Sequence, residues 1–377
     1  MDKSSKERDI LHLWLDSFVI IGNTSKRKLI DKLGDVESVY DASLKLLSSI
    51  IPEEKARLLA ENKSLIQASE KWEYLIEKNI DMVYPEHADY PTKLKNIYDI
   101  PDILYIKGKL KKILDEHNRC IGIVGSRNAD TYGRELAFSF GSKLGKAGIS
   151  IISGMALGID GMAHRGALSA GGYTVAVLGG GIDVVYPKEN YDIYNELINN
   201  GTIISEYGPG VIPAPMQFPL RNRIISGLSD GVLVVEAKKK SGSLITADLA
   251  LEHGKNLYAI PGRIGDRESY GTNNLIKQGA MCVTSPQDII DDLSLCSDNT
   301  LSELREDEAD ADMRDRSRLS DMEKKLLDTL SLEPMYIDDI IDALRLNVSD
   351  VLSLLYAMEE KGFIRQVIKG YYIVNLS

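Results

Sequence analysis

From residue 119 to about 294, short continuous apolar runs alternate with stretches of helical periodicity. The runs are Ile121 to Val124, Ser150 to Ile152, Thr174 to Leu178, Thr202 to Ser205, Val232 to Val235, Leu257 to Ile260 and Met281 to Val283. Between them apolar residues recur at helical spacing over about 134–147, 161–170, 190–199, 220–228, 244–253 and 272–278. A strand that is apolar at every position is buried on both faces. Such strands, alternating with helices, build a parallel sheet covered on both sides. The pattern predicts an α/β chain with a doubly wound parallel sheet.

The flanks read differently. Residues 1–68 carry apolar groups at helical spacing, as in Leu11, Leu13, Trp14, Leu15 and Phe18, and predict a small helical domain. The join at Ile21-Gly22-Asn23 suggests a helix-hairpin-helix or SAM-like module, with Asn23 standing where a second glycine is usual and tolerating a left-handed turn. Residues 69–118 form a bridge whose prolines, Pro91 and Pro101, indicate edge strands and turns. With the bridge included, the sheet domain runs over 69–296. Residues 297–318 are densely charged and poor in apolar groups, which predicts a disordered acidic linker. Residues 319–377 give three helical patterns and a hairpin turning at Lys369-Gly370, the signature of a winged helix. Its third helix carries Asp350, Glu359 and Glu360 against Lys361, a poor set for reading a DNA groove, so a protein-contact or structural role is expected.

Composition narrows the classes. The 377 residues carry a net charge of −11, which leaves room for a nucleic-acid site only as a local basic crevice. No apolar run is long enough to span a bilayer, and the charged start MDKSSKERDI lacks a signal-peptide core, so a cytoplasmic location is expected. Cys120, Cys282 and Cys296 lack paired spacing, with Cys120 and Cys282 expected to pack as small hydrophobes. The histidines form no ligand pair, so neither a metal nor any other cofactor is expected.

The candidate chemistry lies in the loops after the strands. Gly125-Ser126-Arg127 and Ser153-Gly154 each join an apolar run to a helix, where backbone N–H groups and the positive helix end favour an anion. Tyr186-Pro187-Lys188, the helix start at Pro219-Leu220-Arg221-Asn222-Arg223, the run Lys238 to Ser243, and Arg263 add cations at the same edge. One such loop is often only a turn. Their recurrence at one edge points to a polyanion. The glycines are wrongly spaced for a dinucleotide fingerprint, no phosphate-loop motif of an ATPase occurs, and Glu236 has no nucleophile beside it to serve as base. Asp160 is expected to cap the helix that follows it.

These loops, with Ser153 to Asp160, Pro219 to Leu228 and Ser241 to Ala247, resemble the DNA-processing protein A family (DprA, also called Smf) over nearly the whole chain. The resemblance implies an extended Rossmann-like domain that binds single-stranded DNA without hydrolysing it, a homodimer through that domain, and delivery of the strand to the recombinase RecA during natural transformation. The family's strand-binding positions are similar to Arg127, Lys188, Asn222 and Gln278 here. Together with the loop residues Gly125, Ser126, Ser153, Gly154 and Arg223 they make the expected nucleic-acid site. The alternative is a nucleoside-monophosphate phosphoribohydrolase on a similar sheet. Its double glycine and catalytic glutamate have no counterpart in Ser241 to Leu249.

Overall fold

In the computed structural model, which describes residues 3–110, 118–295 and 319–375, the apolar runs become the parallel part of one nine-stranded sheet. The strands are β1 (Asp81–Val83), β2 (Leu104–Gly108), β3 (Cys120–Val124), β4 (Ser150–Ser153), β5 (Thr174–Leu178), β6 (Thr202–Ser205), β7 (Gly231–Val234), β8 (Asn256–Ala259) and β9 (Met281–Cys282). Their order is β1-β2-β6-β5-β4-β3-β7-β8-β9. From β6 to β9 every neighbour is parallel, while β1 and β2 add antiparallel at one side. The prolines of the bridge therefore flank an edge extension of the sheet. At the opposite edge Cys282 is exposed, not packed as expected, because β9 has only two residues and no outer neighbour.

Helices Thr131–Lys146, Ile159–Ser169, Tyr191–Asn200, Gln217–Leu228, Gly242–Glu252 and Tyr270–Lys277 follow the strands, each close to its periodic stretch. Most begin a few residues earlier than the apolar spacing indicates, since a first turn need not bury anything. Gly141 and Gly166 let the first two helices press together: a Cβ at Gly141 would lie 2.3 Å from the Ala163 carbonyl oxygen.

The chain reverses direction at β3. From there β4, β5 and β6 step one way, and β7 returns to pair with β3 on its other side. The loops after β3 and β7 therefore diverge, opening a crevice at the carboxyl edge, where open α/β sheets bind ligands.

The N-terminal helices, beginning with Lys3–Ser17 and Asn23–Leu33, share a core with the sheet domain: Leu13, Trp14 and Leu29 belong to one cluster with Tyr105, Leu178 and Ile203. Asn23 is not left-handed. Gly22 caps the second helix in extended conformation, and the Asn23 side chain donates to Glu206 Oε1 at 2.7 Å. The hairpin is thus tied to the loop after β6. Residues 319–375 have a separate core and a three-stranded sheet made of β10 (Met335–Tyr336), β11 (Ile364–Ile368) and β12 (Tyr371–Val374). The charged segment 297–318 and Cys296 lie outside the described residues.

Candidate nucleic-acid interface

The crevice at the reversal point is a cavity of about 520 Å³. Its walls come from the loop after β3, the start of the Gln217–Leu228 helix, Tyr186, and the Lys238-to-Thr246 stretch after β7. Four cations line it (Arg127, Arg221, Lys238 and Lys240) against one carboxylate, Asp160. On a chain of net charge −11 that local balance is reversed. Ser241 caps the Gly242–Glu252 helix, whose first turn also faces the cavity, so the positive end of a helix adds to the cationic wall.

Arg127 is exposed, and its guanidinium lies over the Phe218 ring, 4.9 Å from the ring centre. Tyr186, 51% exposed, stands beside the same ring with centroids 5.7 Å apart. A guanidinium held on an aromatic face keeps its N–H fork pointing outward at low entropic cost. Gly125 and Ser126 form the turn beneath it. Gly125 presses on the Ile159 side chain, and the Ser126 carbonyl accepts from Ile159 N at 3.2 Å. Close contact continues at Gly158, with φ +75°, where a Cβ would sit 2.3 Å from the Ser126 carbonyl oxygen. Lys188 is exposed and directly follows Tyr186-Pro187, which line a small adjoining pocket with Arg127. Asn222 is half-buried on the cavity wall.

Other expected contacts are placed elsewhere. Ser153 is fully buried and its hydroxyl donates to the Ile123 carbonyl at 2.6 Å, tying β4 to β3. The Gly154 N–H donates to Asp160 Oδ2 at 3.2 Å, so it is occupied within the protein. Asp160 thereby holds the loop after β4; the helix itself is capped by Gly158, one residue before its start at Ile159. Arg223 points away from the cavity, bonding Glu206 (2.5 and 3.0 Å) and the Asp99 carbonyl (2.8 Å). Arg263 pairs with Glu333 of the C-terminal domain at 2.6 Å. Gln278 caps the end of a helix that runs back across the sheet, three residues before β9 begins at Met281, so it lies toward the amino edge of the strands.

The residue that replaces Arg223 is Arg221. It is 4% exposed, donates to the Gly154 carbonyl at 2.8 Å and to the Val177 carbonyl, and its Nε donates to Asn222 Oδ1 at 3.2 Å. Burial pushes its guanidinium down to about 10, opposed by Asp160, so it stays charged at neutral pH. Helical spacing could have selected it: Phe218, Arg221, Asn222 and Ile225 line the cavity at i, i+3, i+4 and i+7, and Arg223 falls off that face.

Glu236 lies behind the crevice wall, not on it. It is 5% exposed, and burial together with Asp130, Glu268 and Asp266 pushes its carboxyl up to about 8. In the unfolded chain it ionises near 4.5. The folded state therefore retains a proton that the unfolded state loses, and stability falls as pH rises from about 4.5 to 8. Glu236→Gln is expected to flatten that decline and leave the protein more stable than wild type at pH 8, by roughly 1–3 kcal/mol. Parallel melting curves against pH for the two proteins would contradict this.

Comparison with known proteins agrees with the fold. Residues 81–294 match the model of the DNA recombination-mediator protein A family, and residues 310–367 match the DprA winged helix domain. The DNA processing protein DprA of Bacillus subtilis is 42% identical over 58% of this chain and 72% of its own length. The structure of DNA processing protein A from Streptococcus pneumoniae superposes with a TM-score of 0.66 at 34% identity, covering 74% of this chain and 96% of that one. That of Helicobacter pylori, solved to describe its single-stranded DNA binding mode, gives 0.52 at 32% identity over 57% and 95%. The chain belongs to the DNA recombination-mediator protein A family.

Proposed function

We propose that the crevice binds single-stranded DNA without cleaving it, in a DNA-processing role that includes natural transformation. The observation that carries this reading is the reversed charge balance of the cavity, four cations to one carboxylate, with Tyr186 and Phe218 beside Arg127. Cations that track phosphates, next to aromatic faces that can take bases, are the two parts a single-strand groove combines. Arg127, Lys188 and Asn222 contact phosphates, with backbone N–H groups of the Gly125-Ser126 turn and the Gly242–Glu252 helix start beside them. Arg221 holds the floor.

The finer role follows the family: the bound strand is handed to RecA in the cytoplasm, and two copies associate through the sheet domain. Among the described residues no helix is long and apolar enough to cross a membrane. Leu251, near the end of the Gly242–Glu252 helix, and Met281, in the edge strand β9, are exposed and supply apolar surface for a second copy.

The non-catalytic reading is supported by the state of the nearest carboxylates. Asp160 is occupied by the Gly154 and Ala156 N–H groups, and Glu236 lies off the cavity wall. The test is a gel shift with single- and double-stranded oligonucleotides of equal length, run beside incubation with ATP and AMP. Preference for the single strand with both nucleotides intact is expected. Release of adenine from AMP that is lost in Glu236→Ala would establish the phosphoribohydrolase alternative instead.

A further inference from the structure

The Gln217–Leu228 helix has a second exposed face beside the crevice. Met216, just before its start, is 77% exposed and Leu220, one turn on, is 52% exposed. Phe218 and Asn222 of the same turns line the cavity, so the two faces adjoin. Beyond Leu220 the surface continues onto the bridge and the N-terminal hairpin. The Leu220 carbonyl and the Asp99 carbonyl both accept from Arg223, and Tyr98, next to Asp99, is 82% exposed. Thr24 Oγ1 donates to Asp99 Oδ1 at 3.3 Å and Asn23 to Glu206, which brings the hairpin turn to the same place. In that turn Val19 is 87% and Ile20 74% exposed. The result is an apolar strip that leads from the crevice rim to the hairpin.

The charges under the strip cancel locally. Arg223 bonds both Glu206 and Asp99 with most of its donors and is itself buried, which withdraws it from a phosphate and leaves neither carboxylate unpaired. A surface of this kind suits the uncharged faces of bases, with the phosphates turned toward water. It does not suit the phosphate contact through backbone N–H groups that a helix-hairpin-helix usually makes, and the Asn23 side chain is already engaged.

We propose that a single strand leaving the crevice continues along this strip, its bases lying against Leu220, Tyr98 and the Val19–Ile20 turn, so that the N-terminal domain lengthens the binding site. The proposal rests on the crevice being the single-strand site. The strip favours the strand over a protein partner because it is continuous with the crevice along one helix and carries an unpaired aromatic ring.

Length dependence tests it, because single-strand sites of this kind hold about 4–16 nucleotides and a short strand fills only the crevice. Affinities of the full chain, Tyr98→Ala and Ile20→Asp are to be measured with thymidine oligomers of about 6 and about 30 nucleotides. Both variants are expected to bind the short oligomer within about twofold of wild type and the long one at least about fivefold more weakly, the scale of one lost stacking contact. Both side chains are exposed, so unchanged melting temperatures are expected and serve as the control for folding. Unchanged affinity for the long oligomer overturns the proposal. If Ile20→Asp also converts a dimer to a monomer in sedimentation, with long-strand binding intact, the strip belongs to a second copy and the proposal fails. Wild type binding neither length would instead overturn the crevice as a DNA site.

Discussion

Arg127→Ala is expected to weaken single-strand binding by roughly ten- to a hundredfold, the loss of one charged hydrogen-bonded contact worth about 1.5–3 kcal/mol. Arg127 is an exposed cation of the crevice, held on Phe218 at 4.9 Å. A phosphate contact carries no base information, so oligonucleotides of different sequence should lose affinity alike. The salt dependence separates a direct contact from an indirect one. Each phosphate neutralised on a single strand adds about 0.7 to the slope of log affinity against log salt, so the variant's slope should be shallower by about that amount. Arg127→Lys should recover only part of the affinity, because an ammonium lacks the planar fork and stacks less well on the ring. Titrations of the three proteins at several salt concentrations measure all of this. Parallel lines displaced by a constant would mean that Arg127 shapes the loop and that the phosphates lie elsewhere.

The architecture was legible because its signals are local. Fully apolar runs separated by helical periodicity can be read without knowing what touches what, and Gly125-Ser126-Arg127 after the first run already marks the crevice loop. What a side chain does at the strand edge depends on partners distant in sequence. Arg223 lies one residue from Asn222, yet Glu206 and Asp99 turn it away, and neither neighbour could be assigned before the sheet order placed the end of β6 and the bridge beside the helix. Ser153 and Gly154 have the composition of an anion loop, but Ile123 and Asp160 take their hydrogen bonds. Gln278 shows a different gap: a resemblance transfers a residue by its place in the chain, whereas the return of its helix sets it toward the amino edge, away from Arg127. Arg221 was within reach of the sequence, through helical spacing. Its role as the floor of the site depends on the Val177 and Gly154 carbonyls, which come from strand β5 and from the loop after β4.

That floor is where a single substitution is expected to cost most in stability. The Arg221 guanidinium is packed so closely that a Cβ on Gly154 would lie 2.5 Å from its Nη2. It bonds two backbone carbonyls and supplies the largest favourable charge acting on Asp160, whose carboxyl burial alone pushes upward. Arg221→Leu fills much of the volume but leaves those carbonyls without this donor and Asp160 without its largest counter-charge. Removing one partner from a buried charged network costs about 3–5 kcal/mol, which in a domain of this size lowers the melting temperature by roughly 10 °C. Asp160→Asn in the Arg221→Leu background should recover part of the loss, since a neutral amide oxygen still accepts from Gly154 and Ala156 while the unpaired charge is gone. Melting temperatures of wild type, both single variants and the double variant close the cycle. If the two losses simply add, Arg221 and Asp160 do not act on each other, and the arginine serves the carbonyls alone.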